Sequence, residues 1–75
     1  MSTERKLVGF VQMRWSANAD AYKPVIEERY GDTYQSFWRG EQTFDSEEAH
    51  EALAEACRKH GLIERADGTE WSRPL

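Results

Sequence analysis

The chain predicts an α+β domain: a small antiparallel sheet in β-β-β-α-β order with one amphipathic helix packed across one face. Three observations predict it. The run Phe44 to Leu62 has the periodicity and both end signals of a helix. The residues before it alternate with period two and are rich in rings and β-branched side chains, with Gly31-Asp32 as a two-residue turn between two such runs. After Gly61 a short run, LIER, has strand character again. Seventy-five residues are expected to form one domain, residues 1–75.

The first element is expected over Lys6 to Trp15, KLVGFVQMRW. Alternation puts Leu7, Gly9, Val11, Met13 and Trp15 on one side and Val8, Phe10, Gln12 and Arg14 on the other. Both sides are apolar in the first half, as in an inner strand, and Gly9 leaves a notch for a ring from a neighbouring strand. SANADA, residues 16–21, has loop composition. In YKPVIEERY, residues 22–30, Pro24 suits the start of a short helix as well as a strand. We read a strand, because the Gly31-Asp32 turn joins it to TYQSFWRG. That hairpin register sets Tyr34 against Arg29, Val25 against Trp38, and Ile26 against Phe37.

The helix is framed by Asp45 or Ser46 as N-cap, with Glu48 completing a capping box and Phe44 stapling onto Ala49. Gly61 supplies the left-handed stop, with Leu62 folding back on Cys57. Ala49, Ala52, Leu53, Ala56, Cys57 and His60 share one face; Glu47, Glu51, Glu55, Arg58 and Lys59 share the other. Ala66 to Thr69 is a turn, and Glu70-Trp71-Ser72 can pair back as a final short strand before Pro74 ends the order.

Composition narrows function more than it defines it. The net charge is −4, with nine acids against four bases in residues 41–75. Such a balance repels nucleic acid and favours basic protein surfaces. A single cysteine excludes a disulfide framework and suits a reducing compartment, and no apolar run has the length of a signal or membrane segment, so a cytoplasmic protein without membrane partners is expected.

No catalytic, nucleotide or cofactor signature stands out, and the expected reading is not an enzyme and needs no cofactor. Cys57 and His60 lie three apart on one face, but two ligands are too few for a zinc site, and His50 is more than a turn away. Cys57 reads as core and His60 as a cap on the last carbonyls, and no metal is expected.

Two surfaces remain. Glu47, Glu51 and Glu55 form an acidic stripe along the helix. Trp15, Tyr34 and Trp38, with Arg29 and Arg39, suggest an aromatic face opposite the helix, because one alanine-faced helix cannot cover every ring of the sheet. The expected function is a small interaction module of binding or inhibitor type, working through the aromatic sheet face, the acidic helix face or both. Its partner is another protein or a second copy in a homodimer. The alternative is a single-stranded nucleic-acid binder using the same rings and arginines. No run of residues resembles a known family; in size and charge the chain is comparable to small phage and mobile-element proteins that block host machinery, an analogy of bulk properties alone.

Overall fold

The computed structural model describes residues 4–15, 20–65 and 69–75; of Arg14 and Trp15 it describes the backbone only. The chain runs β1 (Arg5–Trp15), β2 (Asp20–Tyr30), β3 (Thr33–Arg39), α1 (Ser46–Lys59), β4 (Ile63–Arg65) and β5 (Glu70–Pro74). The five strands form one antiparallel sheet in the order β3-β2-β1-β5-β4, with the helix packed against it. The expected class is therefore present, and the final short strand that residues 70–72 allowed forms as β5, which pairs with the central β1 and leaves β4 at the outer edge. Pro74 continues the pairing, opposite Lys6, and Leu75 N–H donates to Arg5 O at 2.9 Å.

Residues 22–30 are strand, and the position of Pro24 explains why proline is tolerated inside one. In β2 the backbone groups of even residues face the β3 side, and β3 has ended at Arg39, opposite Val25. Pro24 O accepts from Gly40 N–H at 2.8 Å there, so the donor that proline lacks is missing just past the end of the β2–β3 ladder and not within it. The chain then runs on beside β2 and exchanges two backbone bonds between Tyr22 and Thr43, at 2.7 and 2.8 Å.

The β2–β3 hairpin turns at Gly31, whose φ is 62°, and Arg29 pairs with Tyr34 as expected. The other two expected pairs are displaced. Ile26 meets Trp38 and Val25 meets Arg39, because a bulge between Ile26 and Glu27 leaves Phe37 as an extra residue on β3.

The helix covers the face carrying Leu7, Gly9, Ile26 and Trp71, and the core is Leu7, Ile26, Leu53, Ala56, Cys57, Leu62 and Trp71. One row crosses all five strands: Trp38, Ile26, Gly9, Trp71 and Glu64. Its centre has no side chain. The notch at Gly9 holds the helix, not a ring from a neighbouring strand: a Cβ there would lie 2.6 Å from Cys57 Sγ and 3.3 Å from Leu53 Cδ1. The alanine-rich face and the glycine act together, one on each layer, to bring the backbones close.

Both helix ends form largely as the sequence implies. Asp45 caps the first turn by accepting Glu47 N–H at 2.9 Å. The capping box closes through a relay: Thr43 Oγ1 accepts Asp45 N–H and donates to Glu48 Oε2 at 2.9 Å. Phe44 is 70 % exposed, so the staple onto Ala49 is absent. At the other end Leu62 N–H bonds Cys57 O and Gly61 N–H bonds Arg58 O, a Schellman stop with Gly61 at φ 78°. The cap on His60 O comes from Arg73, whose guanidinium donates at 2.8 Å; the His60 ring instead meets Phe37 edge-on at 5.0 Å. Ala52 is exposed, leaving Ala49, Leu53, Ala56 and Cys57 as the buried stripe.

Candidate binding site on the uncovered sheet face

Cross-strand partners share a face, so the registers sort every strand residue onto the helix side or the opposite side. The uncovered side carries Val8, Phe10 and Val25 at its middle, with Tyr34 and Ile63 toward the edges. Val8 and Val25 are almost fully buried, although no described element covers this face. Their register neighbours are Glu27 and Ser72 beside Val8, and Phe10 and Arg39 beside Val25. Arg29 stacks over the Phe10 ring at 5.8 Å and pairs with Glu27 at 3.3 Å, while Arg39 and Arg65 donate to Ser36 and Ser72.

The charge on this face opposes that of the chain. Its described strand residues include Lys6, Lys23, Arg29, Arg39 and Arg65 against Glu27 and Glu70. The helix presents Glu47, Glu48, Glu51 and Glu55 against Arg58 and Lys59. An acidic protein of charge −4 thus has a cationic sheet face and an anionic helix face on opposite sides of one layer.

The predicted site residues separate accordingly. Arg29, Tyr34 and Arg39 come together on the uncovered face, with Tyr34 71 % exposed. Trp38 does not join them: it lies on the helix side, packed at the margin of the core. The expected patch centred on Trp38 is corrected on this point, because the bulge at Phe37 turns Trp38 inward. The Trp15 side chain falls outside the described residues. Glu47, Glu51 and Glu55 are exposed along the helix as expected, with no ion pair among the described residues.

Two open grooves flank the helix. One, of about 710 Å³, runs between Trp38 and the helix; the other, of about 630 Å³, has Trp71 at its base, and Glu51 and Glu55 border both. Arg58 lies 5.5 Å above the Trp71 ring, and the Trp71 indole Nε1 is buried without an acceptor. Cys57 is fully buried, and burial pushes its thiol up to about 11, which makes it an inert core group near neutral pH. His50 Nδ1 is engaged by Ser46 O at 2.7 Å. Among the described residues no three His, Cys, Asp or Glu side chains converge as a metal site, and no helix is long and apolar enough to cross a membrane.

The cationic face does not show in the charge of successive segments of the chain and emerges only when charge is sorted by strand side. Alternation alone places Lys23 and Arg29 on one side of β2, and the signal was there to read. Comparison with protein-family models, with curated proteins and with solved structures finds no match for this chain.

Proposed function

We propose that the chain is a non-enzymatic interaction module that holds an acidic segment of a partner protein on its uncovered sheet face. The observation that carries this reading is the segregation of charge across the sheet, with five cations against two acids among the described strand residues of this face, on a chain that is acidic overall. Long-range attraction brings an anionic partner to that side and the glutamates of the helix repel it from the other, so orientation is set before contact. Tyr34 and Ile63 supply apolar contact area at the margins.

A single-stranded nucleic acid is the second reading, favoured by the same cations with Tyr34. Stacking needs a free ring face, and Phe10 is half-buried under the Arg29 guanidinium, which leaves Tyr34 as the one freely exposed ring among the described residues of this face. The geometry supports the protein segment better.

The test is titration with a glutamate-rich peptide and, separately, with a single-stranded oligonucleotide, from low to high ionic strength. Peptide binding that weakens with salt and disappears in Lys23→Glu/Arg39→Glu supports the proposal. Binding of the oligonucleotide alone transfers the face to the second reading, and silence from both probes at low salt removes the face from consideration.

A further inference from the structure

The outer edge of β3 is seven residues long, and among the described residues no other element pairs with it. An exposed edge strand presents a row of unpaired backbone groups, and proteins usually blunt it with lysine, proline, a bulge or a covering element. Thr33 to Arg39 has neither lysine nor proline, Arg39 is its one charged residue, and its bulge at Phe37 leaves Thr33 to Ser36 in regular register. Six of its seven residues are exposed. The opposite edge, β4, is three residues long, and two of them are Glu64 and Arg65.

We infer that β3 pairs antiparallel with β3 of a second copy of this chain, about a two-fold axis through Gln35. In a two-residue hairpin the residues flanking the loop bond each other, so Thr33 and Gln35 direct their backbone groups at β2, and Tyr34 and Ser36 direct theirs outward. A two-fold at Gln35 brings Tyr34 of each copy level with Ser36 of the other, and these outward groups exchange their bonds. The two Tyr34 rings become diagonal neighbours on the uncovered face, within the reach of aromatic pairs.

Charge selects a second copy over a general partner. Gln35 stands opposite Glu28 and Arg39 opposite Val25, so the bulge at Phe37 puts Arg39 three ladder steps from Gln35, although it is four residues away. Asp32, the turn residue next to the last ladder pair Tyr30–Thr33, lies just beyond Thr33 in the other direction. About this axis Arg39 of each copy therefore comes beside the turn of the other that carries Asp32, twice per dimer. The bulge supplies the match: without it the arginine would lie one position further along. A two-fold perpendicular to the sheet also leaves both uncovered faces on one side and both helices on the other, so pairing produces one continuous sheet with a doubled cationic face. The inference rests on the edge and does not depend on what that face binds.

The experiment is sedimentation velocity over a range of concentrations on four proteins: the parent, Gln35→Lys, Arg39→Glu, and Asp32→Lys/Arg39→Glu. Gln35→Lys keeps a partner within the monomer, since Glu28 already accepts from Gln35 Nε2 at 3.1 Å, but it sets two lysines against each other at the two-fold. The expected results are a concentration-dependent dimer for the parent, dissociation constants weakened by roughly tenfold or more in each single variant, and recovery in the charge-exchanged double variant. Unchanged far-ultraviolet dichroism in each variant separates loss of pairing from loss of fold. A parent that stays at the mass of one chain at every concentration overturns the inference. So does a dimer indifferent to both single variants, or one that the double variant does not recover.

Discussion

Gly9→Ala probes the closest approach in the molecule. The added methyl would lie 2.6 Å from Cys57 Sγ, 3.3 Å from Leu53 Cδ1 and 3.5 Å from Leu62 Cδ2, all of them core atoms of the helix layer. Overpacking of this kind costs about 1 to 3 kcal/mol, set against roughly 0.5 to 1 kcal/mol recovered from replacing a strand glycine by alanine. The net expectation is a loss of about 1 to 2 kcal/mol, which for a domain of this size moves the melting point by several degrees. Cys57→Ala alone removes one buried heavy atom and should cost about 0.5 to 1.5 kcal/mol, by analogy with losing a single methyl. In the double variant the new methyl takes the space of the departed sulfur. Urea unfolding of all four proteins should therefore show the pair more stable than the sum of its singles by about 1 to 2 kcal/mol, outside the scatter expected of independent sites. A stabilised Gly9→Ala, or strict additivity, would refute the claim that the helix seats on the glycine through Cys57.

Other expectations follow from the same packing. Leu53→Ala, at a fully buried position, should cost about 2 to 4 kcal/mol by thermal or urea unfolding; a change below about half a kcal/mol would make the helix peripheral. Cys57 should label slowly with a thiol reagent in the native state and quickly in denaturant. Its thiol is raised from 9.0 to about 11 by burial, so the unfolded chain ionises first. The contribution is intact below pH 9 and is lost as pH rises from about 9 to 11, and Cys57→Ala should lack that loss when the two are compared by urea unfolding across the window. Arg73→Ala removes the donor from His60 O at the helix end and should cost up to about 1 kcal/mol, with Arg73→Lys closer to the parent.

Elements with a strong local period were legible in the sequence. The helix stripe, the Gly61 stop and the Gly31-Asp32 turn each follow from backbone chemistry within a few residues, and the structure places them where that chemistry does. What was not legible depends on contacts far apart in sequence. Gly9 reads as a notch, but nothing local says that a helix more than forty residues later fills it. The adjacent rings Phe37 and Trp38 hinted at the bulge, since strict alternation would send them to opposite faces; instead Trp38 packs beside the core and Phe37 meets His60 at the helix end. β5 sits between β1 and β4 because Trp71 belongs to the core, a choice that its short and mostly polar run does not announce. The surplus of rings was real, but the described ones flank the helix more than they gather opposite it: Trp38 and Trp71 lie along its two sides.

The most direct test of the proposed working surface is amide chemical-shift mapping of the isotope-labelled protein during addition of a glutamate-rich peptide at low ionic strength. The account predicts shifts centred on Val8, Phe10, Val25, Arg29 and Tyr34, spreading to Ser72 and reversed by added salt. Shifts confined to residues 46–59, or a spectrum that does not respond at all, would contradict it.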